Sequence, residues 1–143
     1  MHSHDYESCE ETYATLRLYS NDIDPDEVTV RFGVTPTETQ RQGELRGCGR
    51  FIRVNAWFLS SKDHVQSTDL KDHLDWVLNQ VLAKKDVLRD LQSAGVKSDV
   101  ACYWLSVTEN GGPTLFPEQM EKLAALKLDC WFDVYFHKDK EVA

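Results

Sequence analysis

The 143-residue chain lacks the features that mark several large protein classes. No apolar run reaches the ~20 residues that a membrane-spanning helix needs. Basic residues are scarce, because 16 Lys and Arg stand against 24 Asp and Glu. The resulting formal charge of −8 argues against nucleic acid and against membrane surfaces as partners, since both attract clustered basic side chains. A basic protein remains a compatible partner.

The chain also lacks recognisable catalytic and metal-binding motifs. Its four cysteines, at positions 9, 48, 102 and 130, are too widely spaced for a thiol pair or a zinc knuckle. Asp22, Asp24 and Asp26 have calcium-loop spacing, but Glu27 stands where that loop needs glycine. No phosphate loop, dinucleotide fingerprint or nucleophile elbow occurs. We therefore expect no metal, no cofactor and no catalytic residue, and an enzyme is the less favoured class.

Composition predicts one folded domain. With 41% hydrophobic residues, a chain of this length can bury a sizeable core. The N-terminal segment MHSHDYESCEE is polar and acidic and does not resemble a signal peptide, so we expect a cytoplasmic protein. We predict a flexible tail over residues 1–11, one domain over 12–137 and a second flexible tail over 138–143.

Periodicity and capping signals divide the domain into strands and helices. Apolar residues alternate with polar ones in the predicted strands, and they recur at helical spacing in the predicted helices. Asp24 and Pro25 predict a helix start, and Gly33 predicts its end. The turn-rich residues 34–50 are predicted to be a loop. Strands are predicted at 12–19, 51–61, 98–107 and 128–136, with a long helix at 69–94 and a shorter one at 117–127.

Two short segments, IDPDEV at 23–28 and LFPEQM at 115–120, share one pattern. Each places proline and an acid in the first turn of a helix that follows a strand. The chain therefore reads as two strand–helix–strand units joined by the long helix. This arrangement predicts an α+β fold near the ferredoxin-like plan, with one mainly antiparallel sheet and helices mostly on one face. In that plan the first and last strands are neighbours.

Alternation in the first and last strands predicts a second, aromatic-polar face of the sheet. Aromatic rings beside charged groups are typical of binding surfaces. Two alternatives stay open: residues 34–54 could fold over this face, or a second copy of the chain could cover it in a homodimer. The predicted partner face consists of Tyr13, Arg17, Tyr19, Trp131, Asp133 and Tyr135.

The stretch ENGGPTLFPEQM (109–120) offers a different kind of site. Its glycines indicate a turn with positive φ, and their amides would also suit an anion nest near the helix start. Phe116 has no side-chain acceptor, so Thr114 is an alternative cap. The rival functional reading is a small-molecule binder or enzyme whose pocket would use Trp57, His73, Trp104, Asn110, Gly111 and Gly112.

Taken together, the ordered motifs resemble a bacterial family of domains of unknown function, the one numbered 4279. The likeness runs from Tyr13 to Tyr135 and rests on YATLRLYSNDIDPDEV, FGVTPT, LKDHLDWVL, CYW, NGGPTLFPE and FDVY. Relatives of this kind sometimes look like immunity proteins beside bacterial toxins. The resemblance supplies no catalytic residues. It implies a protein-binding module that is not an enzyme, with toxin neutralisation as its specific form.

Overall fold

The structure, a computed structural model, describes residues 7–136. Within them the chain forms one five-stranded sheet and four helices. In chain order the elements are β1 (Cys9–Ser20), α1 (Pro25–Phe32), β2 (Glu38–Gln40), β3 (Asn55–Ser60), α2 (Leu70–Leu82), α3 (Lys85–Ser93), β4 (Lys97–Ser106), α4 (Pro117–Ala125) and β5 (Asp129–Phe136).

The sheet has the strand order β2-β3-β1-β4-β5. All neighbouring pairs are antiparallel except β4 and β5, which are parallel. One face is packed into the core, where the alternating residues Leu16 and Leu18 of β1 and Val100 of β4 are almost fully buried beneath the helices. The predicted α+β class, with one mainly antiparallel sheet and two strand–helix–strand units, is confirmed.

The expected pairing of the first and last strands is wrong. β4 lies between β1 and β5 and pairs with both. The physical reason is the connection between β4 and β5. The chain leaves β4, crosses over through α4 and returns as β5, which pairs in parallel with β4. β5 is therefore an edge strand, and β1 occupies the centre of the sheet.

Helix α1 forms where its capping signals predict. The Asp24 carboxylate accepts a hydrogen bond from the Asp26 amide at 2.8 Å, and Gly33 ends the helix with a φ of 70°. The Asp24 carboxylate also pairs with Arg41 at 3.2 Å. This ion pair, together with the cap, lowers the pKa of Asp24.

The two roles of Asp24 are separable by substitution. Asp24→Ala removes both the cap and the ion pair and should lower the denaturant midpoint. Asp24→Asn keeps a good cap and loses only the charge, so it should lower the midpoint less. Chemical unfolding of the two variants against the parent measures the difference. Equal losses would show that the ion pair with Arg41, and not the cap, stabilises this end of the helix.

The single long helix predicted at 69–94 is two helices. The helical backbone is interrupted at Lys84, where φ is −129° and ψ is 35°. No glycine or proline marks this point. Packing sets the break instead, because α2 lies along β1 and α4 while α3 contacts α1. The change of direction lets α2 bury Val81 while α3, which packs on a different neighbour, buries Leu88.

Smaller boundaries also differ from expectation. β1 begins at Cys9, so residues 9–11, predicted to be part of a flexible tail, pair in the sheet; the rest of the two predicted tails falls mostly outside the described residues. β3 begins at Asn55 and not at 51. Residues predicted to be a loop contain the short strand β2 and an isolated bridge between Leu45 and Phe51.

Helix α4 begins after Phe116, which supplies no side-chain cap. Instead, the Gln119 side-chain oxygen accepts a hydrogen bond from the Phe116 amide at 2.9 Å. This is one of the two hydrogen bonds of a capping box, in which the side chain of the third helical residue accepts from the amide of the N-cap residue.

Candidate functional site: the open face of the sheet

None of the four helices described within residues 7–136 packs on the second face of the sheet, and the strand register brings the predicted partner residues together there. Tyr13 lies opposite Tyr103, and Tyr103 lies opposite Asp133. Since opposed residues share a face, the odd-numbered positions of β1 and β5 project from the same side. All six predicted residues, Tyr13, Arg17, Tyr19, Trp131, Asp133 and Tyr135, therefore lie on this face, which we call the open face.

Aromatic rings form a continuous row across the open face. The Tyr13 and Tyr103 rings stack with centroids 4.9 Å apart, and the Tyr103 and Tyr135 centroids are 5.5 Å apart. The pKa of the Tyr103 phenol is raised, mainly by partial burial and to a smaller extent by the nearby negative charge of Glu11. Tyr135 and Trp131 remain 50% and 49% exposed, so half of each ring is available for contact.

Arg17 occupies the centre of the open face and is held rigidly. Its guanidinium donates two hydrogen bonds to the Asp99 carboxylate, at 2.8 and 2.7 Å. It also lies 5.2 Å from the Trp131 ring centroid and 5.8 Å from that of Tyr19. The Asp99 bond raises the pKa of Arg17 above its usual value. The strand register places Asp99 directly opposite Arg17.

A groove of about 510 Å³ runs over the open face between the β1 side chains and the loop after β3. Tyr13, Arg17 and Trp131 line its floor. On the β2 edge it is bounded by Thr37 and Glu38, which belong to the segment 34–54. That segment therefore forms one wall of the groove, and Trp131 and Tyr135 stay half exposed beyond it.

Most of the charged side chains at the strand positions of the open face are acidic. Arg17 and Lys97 are the basic residues at these positions. Five carboxylates project from the same face of the strands: Glu11, Glu38, Asp99, Asp129 and Asp133. Arg17 is already engaged by Asp99, so carboxylates prevail among the strand side chains that a partner would meet, while Lys62 of the loop after β3 lies 5.3 Å from the Tyr13 ring centroid.

The residues of the rival pocket do not form one cluster, although Gly111 lies close to the Trp104 ring. Trp57 lies opposite Leu18, and Trp104 lies opposite Thr12. These β1 positions are six residues apart, roughly 20 Å along a strand. Trp57, His73 and Trp104 are all at most 1% exposed and pack inside the core. No shared cavity is therefore available to them.

The glycine loop has a structural explanation. Gly111 adopts a φ of 92°, and a Cβ there would lie 3.0 Å from the Ser8 hydroxyl and 3.6 Å from the Trp104 ring. The Asn110 carbonyl accepts a hydrogen bond from the Ser106 hydroxyl at 2.6 Å. Gly111 is thus required by the turn and by close packing, whereas a Cβ at Gly112 would meet nothing within 4 Å.

Ser61 and His73 have the spacing of a nucleophile and its base, but their environment is structural. The Ser61 hydroxyl and His73 Nδ1 are 2.6 Å apart, and Nε2 lies 2.8 Å from the Ser67 carbonyl. Because a carbonyl can only accept, Nε2 bears the proton and Nδ1 accepts from the hydroxyl. The Ser61 oxygen also accepts from the Ala14 amide at 3.0 Å, and both side chains are buried. This triad of contacts ties the loop after β3 to α2.

A family model described as Domain of unknown function (DUF4279) matches residues 10–137. The chain belongs to this family. Comparison with curated proteins and with solved structures finds no match.

Sequence reasoning missed two members of the open face of this DUF4279 domain. Tyr103 joins the two predicted halves of the aromatic row, and Asp99 holds Arg17. Alternation in SDVACYWLSV places both on one face of β4, so the signal was present. It could not be used without knowing that β4 lies beside β1.

Within residues 7–136, no group of three or more His, Cys, Asp or Glu side chains is arranged to hold a metal ion. None of the helices in that range combines the length and apolarity that crossing a bilayer requires.

Proposed function

We propose that this protein is a non-enzymatic protein-binding module of the bacterial cytoplasm, and that the open face is its partner surface. The observation on which the proposal rests is the row of rings from Tyr13 to Tyr135, with Trp131 half exposed over the fixed Arg17 guanidinium. Rigid aromatic side chains offer large contact area with little conformational entropy to lose, and they dominate binding energy at protein interfaces.

Charge favours a basic partner. The open face and the whole chain are both negative, and complementary charge speeds encounter and rejects wrong partners. Neutralisation of a basic toxin is the specific form of the function that we propose. A second copy of this chain is a poorer match to the open face, because two such faces would bring their carboxylates together.

The rival function is a small-molecule binder or enzyme with a pocket at Trp57, His73, Trp104 and Asn110, and the positions of these residues do not favour it. Trp57, His73 and Trp104 are core residues, and the Ser61–His73 pair is fully engaged by backbone groups. Neither observation supports a reaction.

Trp131→Ala tests the partner surface. If Trp131 is a central anchor, its loss should weaken partner binding by about 2 kcal/mol, which is roughly thirtyfold in Kd. The first candidate partner is the product of the neighbouring gene. If it does not bind, basic proteins of the source organism that the purified protein captures are the next candidates. Calorimetry then measures the affinity of the purified partner.

Phe132→Ala is the matched control for Trp131→Ala. Phe132 is the next residue of the same edge strand, is 40% exposed, and projects from the opposite face. Its removal should leave partner affinity within about twofold, as expected for a residue outside the contact. If Phe132→Ala weakens binding as much as Trp131→Ala, the partner lies along the β5 edge or on the helix side, and the open face is not the interface.

A further inference from the structure

A hairpin within residues 43–52 places two arginines opposite each other. Leu45 and Phe51 form a bridge, and the Arg46 amide donates to the Arg50 carbonyl at 2.6 Å. The register puts the Arg46 and Arg50 side chains on the same face of the hairpin. Like charges in such a position repel and destabilise the pairing.

Neither arginine has an acidic partner within the described residues 7–136. The same holds for Arg53, which follows the hairpin, whereas Arg17, Arg31 and Arg41 each lie within ion-pair distance of a carboxylate. Three exposed guanidinium groups are therefore concentrated in eight residues of a chain whose net charge is −8. These guanidinium groups are therefore free to bind an anion from outside the described residues.

The three arginines line one cavity of about 910 Å³ beside the open face. The aromatic residues Tyr19, Phe58 and Phe51, which we call the aromatic wall, also line this cavity. Tyr19 and Phe58 meet edge to face with centroids 5.9 Å apart, and Phe51 is 67% exposed. The volume lies within the range of ~300–1,000 Å³ that is usual for small-molecule sites.

We propose that this cavity binds a nucleoside phosphate. The planar fork of a guanidinium matches the oxygens of a phosphate, and three such groups suit a compact ligand with several negative charges. The aromatic wall provides faces on which a planar base can stack. A longer nucleic acid is disfavoured, because the chain outside this cavity is strongly acidic. The site adjoins the open face and shares Tyr19 with it, whereas Trp131, the proposed partner contact, does not line the cavity.

Calorimetry with ATP, tripolyphosphate and adenosine, at low salt and without added metal, tests the proposal. ATP should bind with a stoichiometry of one. Tripolyphosphate and adenosine should each bind at least about tenfold more weakly, because each lacks one of the two contacts. ATP should also raise the thermal midpoint of the protein, since it binds the folded state alone.

Substitutions locate the site and separate its two halves. The double variant R46Q/R50Q should weaken ATP binding by at least about tenfold. It should remain folded, since the change removes a repulsion between exposed groups. Phe51→Ala should weaken ATP and leave tripolyphosphate unchanged. Arg31→Gln, on α1 and outside the cavity, is the matched control and should leave ATP binding within about twofold.

Four results would overturn the proposal. The arginines do not form the site if ATP fails to bind at millimolar concentration. The same conclusion follows if R46Q/R50Q binds ATP as tightly as the parent does. Equal affinity for tripolyphosphate and ATP would show that the aromatic wall takes no base. Tighter binding of polyglutamate than of ATP, lost in R46Q/R50Q, would assign the arginines to an acidic polypeptide instead.

Discussion

Asp69→Ala should lower the free energy of unfolding by about 3–5 kcal/mol, as expected when one partner of a buried ion pair is removed. Asp69 Oδ1 lies 3.2 Å from Lys71 Nζ, and both side chains are only 5% exposed. The same carboxylate accepts a hydrogen bond from the Lys71 amide at 3.0 Å and caps α2. Alanine would thus remove the cap and leave the Lys71 ammonium buried without its carboxylate, 4.2 Å from the centroid of the Phe116 ring.

Guanidinium unfolding at neutral pH measures this loss. Glu27→Ala is the control, because Glu27 and Arg31 form an exposed pair at 3.9 Å on α1. Its removal should cost about 0.5 kcal/mol or less. The double variant D69N/K71M should recover most of the stability, since asparagine still caps the helix and methionine leaves no buried charge. If Asp69→Ala costs no more than Glu27→Ala, the Asp69–Lys71 pair is solvated in solution.

His73→Ala should lower the free energy of unfolding by about 3 kcal/mol, through an unfilled cavity and two polar groups that lose their partner. The ring is 1% exposed and bridges the Ser61 hydroxyl and the Ser67 carbonyl. A double-mutant cycle with Ser61→Ala measures how far the two side chains act together. We expect a coupling of about 1 kcal/mol or more between residues in direct contact. Additive losses would contradict the hydrogen-bonded network.

The same histidine should make stability depend on pH. Burial lowers the pKa of His73 below its usual value of 6.5 in the folded protein. Below pH 6.5 the unfolded chain therefore binds a proton that the folded chain does not, and stability should fall as the pH drops through this value. His73→Gln does not titrate, so its stability should change less between pH 7 and pH 5. An unchanged slope in His73→Gln would assign the pH dependence to other groups.

Local sequence signals predicted the elements whose causes are local. Asp24, Pro25 and Gly33 fix α1 because the cap, the first turn and the positive φ each depend on one residue type. Alternation in β1 and β5 assigned Arg17 and Trp131 to one face, since side chains of a strand change sides at every residue. These assignments need no knowledge of which elements are neighbours.

Features that depend on neighbours could not be predicted in this way. The break at Lys84 has no sequence signal, because its residues are good helix formers and packing of α2 and α3 on different surfaces determines it. Likewise, Asp99 could not be paired with Arg17 while the strand order was unknown. The rival pocket was wrongly assembled for the same reason: residue types cannot show that Trp57 and Trp104 lie far apart along β1.

The sequence by itself therefore determined the α+β class, the family, the first helix and the division of the sheet into a buried and an aromatic face. Composition and periodicity depend on residues that are close in the sequence, so what they indicate does not depend on the order of the strands in the sheet. Only the tertiary structure decided that β4 joins the two halves of the aromatic row through Tyr103. It alone decided that three arginines of a turn-rich segment line one cavity with Tyr19 and Phe58, because contacts between distant segments depend on how the chain packs.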